Sequence, residues 1–355
     1  MKSWMRKLRA LLVLGSFAIL LAGCGKENLT ALIPKGYGAE RSYDLIILTT
    51  TVMSFVFLVV IVLLFTVIIR FRKRKGEEVR TPKQVEGSVL LEIIWTSIPI
   101  ILVIIMAVPT VMAEFELADD SDAPEHLNID VTANQYWWHF EYKDEEGEID
   151  VVTSQDLYIP VGEKVYLDLY TNDVVHSFWV PSLAGKLDVN PDNVNRFHIE
   201  AYEEGIYYGK CAELCGPSHS LMDFKVIAVS PEKFEQWKDD MQNFDEEDLE
   251  LDAVAQEGKD LYEQNSCMNC HAIGDDGPDI GPNLTDFGNR VNFAGVLEPT
   301  KDELVRWIID PDEIKEDNRM KTGGYPEFNE DEAEKIAEFL MQLKATSVTP
   351  DDVDN

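Results

Sequence analysis

The sequence predicts a multi-domain chain of three units in series: a hairpin of two membrane-spanning helices, an all-β domain and a small all-α domain. Three observations carry that prediction. Two long apolar runs, the first uncharged and the second carrying one carboxylate, lie near the start with a basic loop between them. Short segments that alternate apolar and polar residues fill the middle, and apolar residues at helical spacing return in the last third. At 355 residues the chain is also too long for one average domain.

Charge divides the same way. Residues 1–113 hold 14 Lys/Arg against 7 Asp/Glu, whereas residues 114–355 hold 17 against 58. So acidic a surface excludes nucleic acid as a partner and favours cationic ones, or else reflects a saline or alkaline exterior. The five cysteines form two tight pairs and a singleton, Cys24, which is not the arithmetic of a disulfide framework.

Residues 1–23 read as a secretory signal: Lys2, Arg6, Lys7 and Arg9 precede an apolar run from Ala10 to Ala22. The run ends in Leu21-Ala22-Gly23-Cys24, which resembles a bacterial lipobox, so Cys24 is the expected lipidation site, anchored to membrane lipid on the outer face. An ordinary signal with a chance cysteine is the competing reading. An external tail, 24–43, then leads to the hairpin, 44–113.

Leu45 to Ile69 is uncharged and exceeds the roughly 20 residues that a span needs. It stops at Arg70-Phe71-Arg72-Lys73-Arg74-Lys75, and a second apolar run covers 89–113. Basic residues collect in the cytoplasm, so the 70–88 loop is inside and both flanks are outside. Glu92 interrupts the second run; a carboxylate there is either functional or simply reaches headgroup water at the inner end.

Residues 119–230 form the all-β unit. Segments 128–133, 164–170, 196–201 and 223–229 alternate as half-buried strands do, with turn residues between them, which suggests a sandwich or barrel. One loop there concentrates the chemistry: Cys211-Ala212-Glu213-Leu214-Cys215-Gly216-Pro217-Ser218-His219-Ser220-Leu221-Met222. Thiolate and thioether are soft ligands suited to copper, and imidazole serves copper or zinc. Two cysteines four apart can bridge two copper ions, leaving one histidine to cap each. His219 is one, and His176 is the candidate for the other. Structural zinc gains nothing from Met222. A thioredoxin-type copper carrier would lack His219 and Met222.

This unit and the hairpin before it, about residues 40–230, resemble subunit II of haem–copper cytochrome c oxidases. The resemblance implies a cupredoxin-like Greek-key domain and a binuclear copper centre, CuA, held by His176, Cys211, Cys215, His219 and Met222. It also implies that Glu213 offers its carbonyl to copper and its carboxylate to a Mg2+ ion shared with subunit I. Glu92, in Glu-x-x-Trp-Thr-x-x-Pro, would mark the mouth of a proton-uptake path. Tyr136, Trp137 and Trp138, in a run that resembles the family's aromatic ribbon, would admit electrons. The family often has tryptophan where Tyr136 stands, so which ring serves stays open. His126, His139 and His198 lack motif context and read as surface or packing residues.

Residues 231–250 read as an amphipathic helix, with Phe234, Trp237, Met241 and Phe244 at helical spacing, followed by an acidic linker. Residues 251–345 form the all-α unit, and 346–355 a tail. Cys267-Met268-Asn269-Cys270-His271 is the attachment signature for covalent haem c, in which both thiols are alkylated by the haem and the histidine ligates iron. With a helix before it and a final helix over 330–343, this unit resembles a class I cytochrome c. That likeness implies contact between the first and last helices near Gly258 and Phe339, and Pro282 orienting His271. The sixth ligand would come from the loop before the last helix, where Met320 fits better than Met268 or Met341.

The whole chain therefore resembles subunit II of a caa-type oxidase. The implied role is electron transfer from haem c through CuA to an oxygen-reducing subunit I in a proton-pumping complex. Further membrane subunits, and cytochrome c or a bc-type complex as donor, are the implied partners. The copper and haem units would face the outside of the cell membrane. A CuA-containing nitric oxide reductase subunit and a free-standing membrane-anchored electron carrier are the alternatives. A quinol oxidase subunit would not need Cys211 and Cys215.

Overall fold

The computed structural model describes residues 27–72, 84–274, 277–278 and 280–353, with scattered positions before residue 17. Cys24, most of the expected signal and residues 73–83 of the basic loop lie outside the described residues.

Two long helices open the chain, α1 (Tyr37–Phe71) and α2 (Val89–Leu117). Both extend beyond the apolar runs, α1 by a polar N-terminal turn and α2 by one at its C-terminus. Leu58, Leu63, Ile68, Ile93, Ile101 and Val108 are exposed along them, which is the surface a bilayer would cover. The hairpin is tied to the β-domain at the foot of α1. Lys35 N donates to Ser182 O (2.7 Å) and Ala39 N to Leu183 O (3.0 Å). Gly36 is required there, because a Cβ would lie 2.1 Å from the Glu200 carbonyl.

The β-domain comprises β1 (Leu127–Asn134), β2 (Trp137–Lys143), β3 (Ile149–Ser154), β4 (Asp156–Pro160), β5 (Val165–Thr171), β6 (His176–Trp179), β7 (Leu187–Val189), β8 (Asn195–Ile199), β9 (Gly205–Cys211) and β10 (Asp223–Val229). They form two five-stranded sheets, ordered β3-β2-β1-β5-β8 and β4-β10-β9-β6-β7. One parallel pair in each sheet, β1 with β5 and β4 with β10, records the crossover connections of a cupredoxin-like sandwich. Inward residues of both sheets share one core, centred on Trp138, Phe140, Phe178 and Phe224. Phe178 and Phe224 lie 4.6 Å apart between ring centroids.

Helix α3 (Pro231–Gln242) closes one end of the sandwich. Its start is set by the Ser230 hydroxyl, which accepts from Lys233 N, and by Pro231 in the first turn. Its apolar stripe is a packing face: Trp237 stacks on Tyr158 at 4.7 Å, and Phe234 and Met241 are buried with it.

The all-α unit is built on α4 (Ala253–Gln264) and α8 (Glu330–Gln342), with α5 (Lys301–Ile309) packed on α8 and two single turns, α6 (Pro311–Ile314) and α7 (Arg319–Thr322), between. Helices α4 and α8 cross at Gly258, where a Cβ would lie 2.0 Å from the Lys335 carbonyl and 3.0 Å from Phe339 Cβ. Asn329 and Glu332 form a capping box that fixes the start of α8. This unit rests directly on the β-domain. Asn283 N donates to Ser154 Oγ (3.0 Å), Val291 N to Asp156 Oδ2 (2.9 Å), and Lys225 Nζ to Gly295 O (3.3 Å).

Candidate metal centre

Strand β9 ends at Cys211 and β10 begins just after Met222, so the cysteine loop is a connection held at both ends by antiparallel pairing. Cys211 N donates to Met222 O (3.1 Å), which closes the loop on itself. His176 arrives from β6, whose Phe178 pairs with Cys211.

Five of the predicted ligands converge tightly. Cys211 Sγ lies 3.9 Å from Cys215 Sγ and 3.8 Å from His176 Nδ1. Cys215 Sγ lies 3.6 Å from His219 Nδ1 and 3.8 Å from Met222 Sδ. Glu213 contributes its carbonyl oxygen, 3.2 Å from Cys211 Sγ, while its side chain is exposed. Each sulfur thus has its own histidine, and the two sulfurs face each other. Burial and the neighbouring sulfur divide the pair unevenly. Cys211, hydrogen-bonded by Cys215, His176 and backbone groups, is pushed well below the ordinary thiol range, while Cys215 is pushed far up by its bond with Cys211 and by burial. Two buried thiols this close cannot both ionise without a cation between them. This donor set therefore fits soft cations and is poorly suited to standing empty.

His176 is completely buried, and its Nε2 meets Asp173 Oδ1 at 2.7 Å, which fixes the ring with Nδ1 toward Cys211. Asp173 also accepts from Val174 N (2.7 Å) and, on its other oxygen, from Gln135 N (2.8 Å). Burial alone would raise this carboxyl. The hydrogen bonds from His176, Gln135 and Val174 outweigh it and hold the group at about 2. Gln135 binds the loop a second time, its Nε2 donating to Cys215 O at 2.5 Å. Among the described residues, His176, Cys211 and Cys215 form the one cluster of metal-binding side chains that closes within 4.8 Å.

Of the three aromatic residues, Trp138 lies beneath this loop. Trp138 is fully buried, 6.3 Å from the His176 ring, with its Nε1 donating to Met222 O at 3.5 Å. Trp137 packs edge-on to His139 at 5.7 Å. Tyr136 is covered by the all-α unit, from which Lys315 Nζ donates to the Tyr136 carbonyl at 2.9 Å. His139 and His198 are buried and His126 half-buried, so packing rather than surface is the setting of the first two.

In the all-α unit, Cys267 and Cys270 bracket a single turn, and Cys270 N and His271 N both donate to Cys267 O (3.1 Å). His271 Nδ1 bonds Pro282 O at 2.8 Å. Burial holds this imidazole below its ordinary value, so the neutral tautomer with the proton on Nδ1 leaves Nε2 free to ligate. Gly281 leaves room for the ring, since a Cβ there would lie 2.8 Å from His271 Cε1. Met320 sits half-buried in α7, its backbone N capped by Asn318 Oδ1 (2.8 Å). Glu92 lies in the first turn of α2, exposed along with the helix around it.

Reasoning from the sequence missed the roles of Gln135, Asp173, Ser218, Lys315 and Arg319. Ser218 and Asp173 sit beside predicted ligands, but no residue type or spacing marks their partners, and Lys315 and Arg319 reach the site only when remote segments meet.

A two-helix membrane hairpin, a cupredoxin-like domain with a thiol–imidazole cluster and a haem-signature domain together define a membrane-anchored electron-transfer subunit. Three family models match in that order: the transmembrane domain of cytochrome c oxidase subunit II over residues 40–112, its periplasmic domain over 145–229, and cytochrome c over 255–344. The chain belongs to the cytochrome c oxidase subunit II family. Cytochrome c oxidase subunit 2 of Alkalihalophilus pseudofirmus is 44% identical over 349 residues, spanning 97% of this chain and 99% of the relative. The same subunit of Bacillus sp. PS3 is 46% identical over 347 residues, spanning 93% and 96%. Among solved structures, the periplasmic domain of subunit II of Bradyrhizobium japonicum cytochrome oxidase is 25% identical over 32% of this chain and 91% of that one, with a TM-score of 0.30. The protein is thus a subunit of a terminal oxidase, anchored in the membrane with its CuA-type and cytochrome c domains on the periplasmic side.

Proposed function

We propose that this chain passes electrons from a covalent haem held by Cys267, Cys270, His271 and Met320 to a two-copper centre held by His176, Cys211, Glu213, Cys215, His219 and Met222. From there they go to subunit I. The observation that carries the reading is the facing pair of buried sulfurs, each with its own histidine. Copper bound there would supply one-electron chemistry over two bridged ions, with little change of geometry between oxidation states. The protein's part is to keep that geometry fixed. The loop is pinned by β9 and β10, Asp173 sets the His176 ring, and Gln135 holds the Cys215 carbonyl. In the haem unit, Pro282 sets the His271 tautomer in the same way.

Glu213 suits two tasks, because its carbonyl faces Cys211 while its carboxylate is exposed beside exposed Leu214, in position to share Mg2+ with subunit I. Glu92, in the first turn of α2, would take up protons for a pumping oxidase if the 70–88 loop faces the cytoplasm. Cys24 would carry the lipid anchor. Tyr136, Trp137 and Trp138 would admit electrons, a reading supported by Trp138 beside His176 and by Tyr136 beside Lys315 of the all-α unit. Cytochrome c or a bc-type complex would reduce the haem unit.

The test is spectroscopic. The purified complex is expected to show haem c, a near-infrared mixed-valence copper band and haem a together. Haem b without haem a, with turnover on nitric oxide, would overturn the oxidase assignment.

A further inference from the structure

The segment between α6 and α7 touches the copper loop at three points. Lys315 is almost wholly buried, and its Nζ donates to the Tyr136 carbonyl at 2.9 Å. The Ser218 hydroxyl, inside the cysteine loop, donates to Glu316 O at 2.8 Å. Arg319 Nη2 pairs with Asp173 Oδ2 at 3.1 Å. Between these contacts Asp317 takes a left-handed backbone (φ +62°), and Asn318 caps the turn that follows. That reversal presents residues 315, 316 and 319 to the same surface.

The third contact reaches further than the other two. Asp173 Oδ1 accepts from His176 Nε2, Val174 N and Thr171 Oγ1, while Oδ2 takes Gln135 N and Arg319. Arg319 therefore holds the carboxylate that holds the imidazole, and Met320 is its immediate neighbour in the chain.

We infer that residues 315–319 form an intramolecular latch that seats the cytochrome domain on the copper loop, and that Arg319 is a positioning residue for His176, acting through Asp173. The outer shell of the copper centre is then complete only when the donor domain is docked, which couples ligand alignment to donor position. The Arg319 part rests on the copper-centre reading above; the latch part does not.

Two measurements on the full chain separate them. In the first, Arg319→Gln and Arg319→Lys are compared with wild type by the histidine nitrogen couplings of the copper signal and by copper retention against a chelator. Arg319 is more than half exposed, so both variants should fold. Arg319→Gln is expected to alter one histidine coupling and to release copper about tenfold more readily, as loss of a partner that orients a ligand does. The haem c spectrum should stay unchanged, and Arg319→Lys should recover part of the effect. Couplings and retention equal to wild type would overturn the role of Arg319. A wild-type chain without a binuclear copper signal would overturn the copper reading and the role of Arg319 with it.

In the second, the metal-free chain is digested under limiting protease at the acidic linker near Glu246–Glu250. The Lys315→Ala, Ser218→Ala double variant is expected to be cut several-fold faster than wild type. An unchanged rate would overturn the latch.

Discussion

Replacing Asp173 by Asn tests how far the copper site depends on one carboxylate. The change keeps the size of the side chain but gives its amide one acceptor where the carboxylate has two. If that oxygen still takes His176 Nε2, the new NH2 faces Gln135 N and Arg319, both donors. Hydrogen bonding holds the native carboxyl at about 2, against an ordinary 3.8. Unscreened, that difference is worth about 2.5 kcal/mol; allowing for partial solvation leaves about 1–2 kcal/mol. This agrees with the ten- to hundredfold loss of metal affinity typical when a partner of a ligating histidine is removed. Because the folded value is depressed, the contribution is complete above pH 4 and is lost as pH falls through about 2. Copper competition against a chelator at neutral pH should therefore show roughly tenfold weaker retention in Asp173→Asn. The variant should also lack the acid step between about pH 4 and 2 that wild type shows. Equal retention and an identical acid profile would refute the claim that Asp173 sets His176.

Three other outcomes are expected. Met222→Leu, at a fully buried thioether 3.8 Å from Cys215 Sγ, should alter the near-infrared copper band and leave the haem c spectrum alone; an unaltered band would remove Met222 from the ligand set. Gly258→Ala would place a methyl 2.0 Å from the Lys335 carbonyl, so α4 and α8 must separate. Thermal unfolding of the haem unit should show a loss of about 3 kcal/mol or more, and a wild-type midpoint would contradict the crossing. Burial raises Asp286 to about 7 against its four hydrogen-bond donors, so its contribution is full below pH 3.8 and is lost as pH rises through about 7. Denaturant unfolding should show up to about 4 kcal/mol of that loss in wild type and little of it in Asp286→Asn; equal slopes would refute this.

The parts of the fold with local signatures were legible in the sequence. Long apolar runs mark α1 and α2, alternation marks β1, β5, β8 and β10, and helical spacing marks α3. The ligand spacing within 211–222 and 267–271 is local too, so both clusters can be read without a structure. Strands β4, β6 and β7 are short and buried on both faces or irregular, and alternation is not visible in so few residues. The docking of the two outer domains was also illegible. Its contacts join Tyr136 to Lys315 and Asp173 to Arg319, pairs brought together by tertiary packing alone. Asp173 shows the limit well: in the sequence it is one acidic residue among many, and only the fold turns it toward His176.

If haem c is the donor and the copper centre the acceptor, tethering raises the donor's local concentration and the docked arrangement makes the proposed transfer intramolecular. The most direct test of the relay is therefore flash reduction of the haem c in the full chain, with the copper band followed at the same time. The haem should reoxidise in step with loss of the oxidised copper band, at a rate independent of protein concentration. A rate proportional to concentration, or haem reoxidation with no change at copper, would contradict it.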